Sequence, residues 1–303
     1  MSGAAGGGAA PPVRLGLLLP FVLVSFAANS LITRHVVARE LLDAGLLSAV
    51  RFVAGALVLL ALCAARRERP VVGRANLLPA LWLGTYAVCI SYGYRYIGAA
   101  AGTFVFYATV LLTLVAVDLL RRRPVPARRA LGAATSLAGV GVLAVGSRGA
   151  VTAAGVVLLA ATGAAWGLYT AAGRGTADPR VATTGHFVLL AAVAVLPAAA
   201  GATAGATVTP AGLAWGVAMG AGTTAFAYVA WYACQRAMSA TSAGAVQLVI
   251  PVLTTAGAVL LLGERLTAVL LVSAVLVGAG MWLGRASAPA PSPAAPAGAG
   301  AAR

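Results

Sequence analysis

Residues 246–266 read VQLVIPVLTTAGAVLLLGERL, with a proline at position 251 and the sequence Gly-Glu-Arg-Leu at the end. From Val249 to Leu262 the run carries no charged residue, which is typical of a helix in the hydrocarbon core of a membrane. A second segment, which ends near Arg121, repeats this shape but has neither the proline nor the glutamate. The two segments predict a membrane protein with several spans and a duplicated half.

The composition of the whole chain also requires lipid as its solvent. Of the 303 residues, 61% are hydrophobic and 9% are charged, whereas soluble domains have about 25% charged residues. A helix needs about 20 apolar residues to cross a bilayer. We therefore predict an all-α membrane protein with ten transmembrane helices, near residues 15–33, 45–64, 76–95, 98–119, 129–146, 151–172, 182–201, 210–232, 239–262 and 267–284.

The two ends of the chain differ from these spans in composition. Residues 1–14 are rich in Gly, Ala and Pro, and residues 285–303 are rich in Ala and Pro, so both are predicted to be disordered tails. Residues 14–28 resemble a signal peptide in having a charge, an apolar core and small residues. The apolar segments that follow favour an uncleaved first span instead.

The arginines predict the orientation in the membrane. All 21 basic residues are Arg. With the N terminus in the cytoplasm, 15 of them fall on the cytoplasmic side, five fall outside, and Arg51 lies within a span. Positive charge accumulates in cytoplasmic loops, so we predict a multi-pass inner-membrane protein with both termini in the cytoplasm. The net charge of +15 also suggests nucleic-acid binding, but the arginines form no continuous face, so we do not expect nucleic acid as a partner. The expected partners are a small-molecule substrate and the lipid bilayer.

The two halves of the chain correspond residue by residue at several places. Phe26-Ala27-Ala28-Asn29 in the first span corresponds to Trp166-Gly167-Leu168-Tyr169 in the sixth. Arg51-Phe52 in the second span corresponds to His186-Phe187 in the seventh. The first half, residues 15–146, and the second half, residues 151–284, are therefore predicted repeats. Because each repeat has five spans, an odd number, the two are predicted to be inverted relative to each other, an arrangement common in transporters.

A set of residues in the second half carries a family resemblance: Gly222-Thr223-Thr224-Ala225, Ala230-Trp231-Tyr232, Ser239-Ala240, Pro251, Leu262-Gly263-Glu264-Arg265-Leu266 and Gly278. With Arg51-Phe52 and Trp166, they resemble the EamA-type transporter family of the drug/metabolite transporter superfamily. The resemblance covers residues 15–284 and implies a ten-helix inner-membrane carrier, often an exporter of amino acids or other metabolites. The first half departs from the pattern, because Thr109 stands where the second half has Pro251, and Arg122 where it has Glu264.

Polar and aromatic side chains within the spans are the candidate substrate-binding residues, because polar groups in a membrane face the interior of the bundle. Arg51 either faces the cavity and attracts a substrate carboxylate, or is a structural or interfacial arginine that extends its charge to the membrane surface. His186, its partner in the second repeat, either is a hydrogen-bonded packing residue or has a functional role. The predicted substrate site consists of Asn29, Arg51, Tyr86, Tyr107, Trp166, Tyr169, His186, Tyr228 and Gln247.

Two residues of the ninth segment are predicted to act in gating. Pro251 interrupts a helix and frees a carbonyl group, which either forms a hinge or serves packing. Glu264 ends the segment, where it either pairs with an arginine as part of a gate or accepts hydrogen bonds from amides at the start of the tenth span. Asp118 is expected to pair with Arg121 or Arg122.

These features favour a secondary transporter that exports a small metabolite, amino acid or drug by alternating access. An enzyme is not expected, because we find no nucleophile with a base, no paired carboxylates within a span and no cluster of metal ligands; no cofactor or metal is predicted. The alternative is an accessory or scaffold membrane protein without transport activity. The sequence leaves open the substrate, the direction of transport, proton coupling and the oligomeric state.

Overall fold

The computed structural model describes residues 15–147, 151–173, 178–194, 205–236 and 246–285, together with residues 196, 199 and 238. The two predicted tails, apart from Arg285, and residues 239–245 of the predicted ninth span lie outside these ranges. Within them the chain forms α1 (Leu15–Ala38), α2 (Ala44–Ala65), α3 (Leu77–Gly93), α4 (Ala99–Leu120), α5 (Ala127–Gly146), α6 (Ala153–Gly173), α7 (Pro179–Val193), α8 (210–236), α9 (Val249–Leu262) and α10 (Ala268–Gly284).

Side chains that precede several helices hold their first turns. The Asp43 carboxylate accepts hydrogen bonds from two amides at the start of α2, and Asp178 does the same at the start of α7. The hydroxyl groups of Thr209 and Thr267 accept from amides at the starts of α8 and α10. These contacts satisfy amides that have no acceptor within their own helix. At the other end of α9, Gly263 has φ of +70°, which favours glycine and ends the helix.

The helix α8 is not a regular α-helix along its whole length. Its first part, Pro210–Ala218, and its last part, Ala227–Arg236, are α-helical, but Met219–Phe226 forms a π-helix. A π-helical turn adds a residue to the turn and rotates the side chains that follow it, and such turns are frequent at functional sites.

Among the described residues, six helices are long and apolar enough to cross a membrane: α1, α2, α4, α5, α6 and the part of α8 from Pro210 to Trp231. The helices α7, α9 and α10 are apolar but shorter. Large apolar side chains cover the outer surface, among them Leu120 and Leu260, which are 84% and 80% exposed; soluble proteins seldom expose such a surface. The prediction of an all-helical membrane protein is confirmed, but the ten predicted spans are not, because six of the described helices have the length and composition of a span.

The packing of the helices follows the duplication. The helix α1 packs against α8 and α9, and α6 packs against α3 and α4 in the same manner. The pairs α2 with α7 and α5 with α10 are also in contact. Each of these contacts is reproduced when the first five helices are exchanged with the last five. The rings of Phe52 and Phe187, which correspond in the two repeats, lie 5.5 Å apart, so that α2 meets α7 at equivalent residues.

Candidate functional site

An aromatic cluster lies where the two halves meet. The ring of Trp166 on α6 is 5.0 Å from Tyr86 on α3, 5.6 Å from Tyr228 on α8, 5.7 Å from Tyr169 and 6.4 Å from Phe26 on α1. We name these five residues the central cluster. They come from four helices, two in each half, and four of the five rings were predicted site residues. Aromatic walls with few polar groups are typical of sites for small organic molecules.

The duplication explains why these residues meet. Phe26 and Trp166 correspond in the repeats, as the sequence predicted. Tyr86 and Tyr228 also correspond, since they are 142 residues apart, the spacing that relates Thr109 to Pro251. Both tyrosines contact Trp166. This pairing was not predicted, although the spacing that it shares with Thr109 and Pro251 could have revealed it.

Tyr107 reaches the central cluster through a neighbour that the sequence analysis did not select. The Tyr107 ring is 4.6 Å from Phe106, and Phe106 is 5.9 Å from Tyr86. Tyr107 itself is buried. On the other side, Phe187 lies 6.1 Å from Tyr228 and joins α7 to the cluster.

Arg51 on α2 is fully buried, with 0% exposure, so its charge does not extend to the surface. Its Nη2 donates a hydrogen bond of 3.3 Å to the Ser91 hydroxyl, and its Cζ lies 5.9 Å from the ring centroid of Tyr86, within range of a cation–π contact. Its Nε and Nη1 have no hydrogen-bond partner among the described residues. A buried cation with so few partners is costly and is therefore a candidate for ligand binding.

Tyr169 and His186 form a polar contact between α6 and α7. The Tyr169 hydroxyl lies 3.2 Å from His186 Nδ1 and 3.4 Å from the Thr183 hydroxyl. Both Tyr169 and His186 are buried. His186 is thus a hydrogen-bonded residue next to the central cluster, as one of its two interpretations predicted.

Asn29 joins α1 to the π-helical part of α8. Its Nδ2 donates to the hydroxyl groups of Thr224 at 3.3 Å and Thr223 at 3.5 Å. Its Oδ1 has no partner within the described part of the chain. Asn29 is a predicted site residue, but the π-helix was not predicted, since its only visible signal is the small and polar sequence Met219–Phe226.

Pro251 lies in the first turn of α9, and Gln247 lies just before that helix. Pro251 is the third residue of α9. The amides of a first helical turn have no acceptor within their own helix, so a proline there costs the helix no internal hydrogen bond. The Gln247 carbonyl, which an amide at residue 251 would have used, instead accepts from Ile250 N–H at 3.1 Å. The predicted hinge role of Pro251 therefore has no support from a break inside α9 and stays a prediction.

Glu264 caps a different helix from the one expected. Its carboxylate accepts hydrogen bonds from the amides of Ala99 at 2.6 Å and Ala100 at 3.1 Å, at the start of α4, and lies 3.8 Å from Arg34 Nε. We name this group of contacts the Glu264 cap. The interpretation that Glu264 binds the tenth helix is wrong, because the Thr267 hydroxyl fills that position. The arginine contact that was expected for a gate is present.

The carboxylates lie away from the central cluster. Five of the six acidic residues pair with arginines at the ends of helices: Asp43 with Arg95, Glu68 and Asp178 with Arg180, Asp118 with Arg129, and Glu264 with Arg34. The sixth, Glu40, is exposed. The expected pairing of Asp118 with Arg121 or Arg122 is wrong, since Arg129 on α5 lies 2.5 Å from its carboxylate. Arg51 is in no ion pair among the described residues.

This chain matches a protein family and a relative by sequence, and a solved structure by fold. The EamA-like transporter family matches residues 14–145 and 153–284. An uncharacterized protein of Pseudomonas aeruginosa is 33% identical over 256 residues, which cover 84% of this chain and 89% of the relative. A protein crystal structure superposes with a TM-score of 0.61 at 20% identity and covers 88% of this chain and 97% of its own. At that identity, the likeness is one of fold.

Proposed function

We propose, from the premise that the chain belongs to the EamA-like transporter family, that it is a secondary transporter that moves a small organic solute across the cytoplasmic membrane. The observation that carries this proposal is the central cluster. Aromatic and polar side chains from both halves converge there, although polar groups are costly inside an apolar bundle. The direction that we propose is export of a metabolite, amino acid or drug.

The transport cycle that we propose is alternating access between two inverted repeats. It is supported by the helix contacts, which are reproduced when the halves are exchanged. With five helices in each half, such a relation requires opposite orientations in the membrane. We propose ten spans on this basis, with the shorter helices α7, α9 and α10 among them and both termini in the cytoplasm, as the arginine distribution favours.

The contacts at the ends of helices suggest how access is controlled. The Glu264 cap joins α1, α4 and the segment after α9 on one face of the bundle. Release of an exported solute through that face requires these contacts to separate, so we assign Glu264 to the gate. A solute binds by replacing contacts between rings of the central cluster, of which Trp166 makes the largest number.

The test compares one substitution at two tryptophans. Trp166→Leu removes the centre of the cluster, whereas Trp282→Leu makes the same change on α10 at a side chain that is 53% exposed. Both variants and the wild type are expressed in a bacterial host, and metabolites in the medium and the cytosol are compared by mass spectrometry. We expect a solute that is enriched in the medium with wild type and Trp282→Leu but not with Trp166→Leu.

Two results contradict the proposal. Enrichment that persists in Trp166→Leu rules out the central cluster as the binding site. If purified wild type in liposomes moves no solute from a broad metabolite panel in either direction, the chain is not a transporter, and the accessory role becomes the better account. Uptake and efflux arms of the liposome assay distinguish import from export.

A further inference from the structure

We infer that the transported solute is a monovalent organic acid, whose carboxylate binds Arg51 and whose flat apolar body lies among the rings of the central cluster. This inference rests on the proposed transport function and names the chemical class of its substrate. It distinguishes organic acids from the amines and neutral compounds that an aromatic site also accommodates.

The first support is the incomplete hydrogen bonding of Arg51. A guanidinium group has five N–H donors. Nη2 donates to Ser91, but Nε and Nη1, which carry three of the five, have no partner among the described residues. The side chain is completely buried, so bulk water does not fill these positions. Donors of this kind are satisfied by an anion that enters with the solute.

The second support is the distribution of negative charge. Each of the six carboxylates either pairs with another arginine or is exposed. A cationic solute therefore meets a buried positive charge and finds no described carboxylate to bind, which is strongly unfavourable in a medium of low dielectric constant. A single carboxylate balances the charge of Arg51, whereas a phosphate dianion leaves one negative charge unbalanced.

The third support is the position of Arg51 next to the rings. Its guanidinium lies over the Tyr86 ring, and Tyr86 is 5.0 Å from Trp166. An acid whose carboxylate binds the free N–H groups is thereby held with the rest of the molecule close to these rings. A flat or aromatic body gains most from such walls, because it stacks on them.

The test uses probes that share one body and differ in their end groups. Purified full-length protein is titrated with 3-phenylpropionate, 3-phenylpropan-1-ol and 3-phenylpropylamine, and binding is measured by calorimetry and by the thermal unfolding midpoint. We expect wild type to bind the acid roughly 10- to 100-fold more tightly than the alcohol, the range expected for a charged hydrogen bond in a buried site. The amine is expected to bind more weakly than the alcohol.

Two variants assign this preference to Arg51. In Arg51→Gln the affinity for the acid is expected to fall to that for the alcohol, whereas the affinity for the alcohol stays unchanged. The unfolding midpoint without ligand should not fall, because the change removes an uncompensated buried charge. Arg51→Lys keeps the charge and is expected to keep the order of acid over amine, with reduced affinity because the planar donor group is lost.

Inorganic anions are tested separately, because a resident chloride could satisfy the same donors. The titrations are repeated in chloride and in gluconate buffers. If chloride alone raises the midpoint of wild type but not of Arg51→Gln, and the acid adds nothing further, Arg51 is an inorganic-anion site and the inference is overturned. Competition between chloride and the acid supports it.

Transport separates the failure of this inference from the failure of the proposed function. Liposomes are assayed with phenyl, indolyl and branched alkyl acids and with the matched amines and alcohols. We expect at least one acid to be moved, with Arg51→Gln inactive. Transport of amines or alcohols without any acid overturns the inference and leaves the transporter function in place. If no compound in this or the broader panel is moved, both proposals fail.

Discussion

The Glu264 cap offers the most direct test of the structure, through the substitution Glu264→Gln. The Ala99 and Ala100 amides belong to the first turn of α4 and have no acceptor within that helix, so the carboxylate of Glu264 is what holds them. Glutamine keeps one acceptor oxygen and loses both the charge and the second hydrogen bond. A hydrogen bond to a charged group contributes about 1.5–3 kcal/mol and a neutral one about 0.5–1.5 kcal/mol.

These values set the size of the expected effect. The Glu264 side chain is 19% exposed and its contact with Arg34 Nε is long, at 3.8 Å, so the ion pair adds little. Allowing for this partial exposure, we expect Glu264→Gln to destabilise the closed cap by about 1–2 kcal/mol, a roughly 5- to 30-fold increase in its opening.

Hydrogen exchange of the purified protein measures that opening at the amides concerned. Exchange at Ala99 and Ala100 should accelerate by roughly 5- to 30-fold in Glu264→Gln. The Gly102 amide, which donates to the Gly98 carbonyl at 2.9 Å, is the internal control and should change much less. Arg265→Gln, at the exposed neighbouring position, is the control variant and should leave all three amides unchanged. Unchanged exchange at Ala99 and Ala100 in Glu264→Gln, or equal acceleration in Arg265→Gln, would refute the reasoning.

Three further predictions concern packing and polar contacts. Gly132→Val should lower the folded yield and the unfolding midpoint, because a Cβ there lies 2.6 Å from a backbone nitrogen of α10 and overpacking costs about 1–3 kcal/mol. Gly141→Val is the control and should behave as wild type, because a Cβ there meets nothing within 4 Å. Equal unfolding midpoints for the two variants would contradict this prediction. Tyr169→Phe should destabilise the fold by about 0.5–1.5 kcal/mol, since it removes the contacts of the hydroxyl with His186 and Thr183. The shift in unfolding midpoint should be smaller in a His186→Ala background, where only the contact with His186 is already lost, and an equal shift in both backgrounds would contradict this. Asn29→Ala should speed amide exchange in the π-helical part of α8, because its bonds to two threonine hydroxyls are lost; unaltered exchange there would show that the π-helix does not depend on them.

The sequence predicted the central cluster better than it predicted the ends of the helices. Trp166, Tyr169 and Tyr228 could be selected because a polar or aromatic side chain in a long apolar run has few favourable places except the bundle interior. Duplication also related Phe52 to Phe187, and their rings are in contact. These inferences rest on composition and on residue spacing, both of which can be taken from the sequence without coordinates.

Contacts between distant segments could not be predicted in the same way. Glu264 lies next to the start of α10 in sequence, so capping that helix was the local expectation, yet it binds the start of α4, 165 residues away. Asp118 likewise binds Arg129 rather than the nearer Arg121 and Arg122. Which amide or arginine a carboxylate between helices binds depends on how the helices pack. The residues next to it in the sequence do not indicate that partner.

The buried arginine connects stability with function. Removing a guanidinium from water without a counter-ion costs several kcal/mol, and an apolar side chain at residue 51 would avoid that cost. The Ser91 hydroxyl, which accepts from Nη2, and the adjacent Tyr86 side chain offset only part of it, because Nε and Nη1 have no hydrogen-bond partner among the described residues. Positions at which a fold keeps such an unfavourable group are those where function and stability conflict. Arg51 stands beside the Tyr86 ring, which in turn contacts Trp166 of the second half. Binding of an anion there relieves the cost, and a solute body that lies on these rings touches both halves. A solute with that property stabilises the closed arrangement of the repeats, which is the requirement for a carrier that changes access only with its substrate bound.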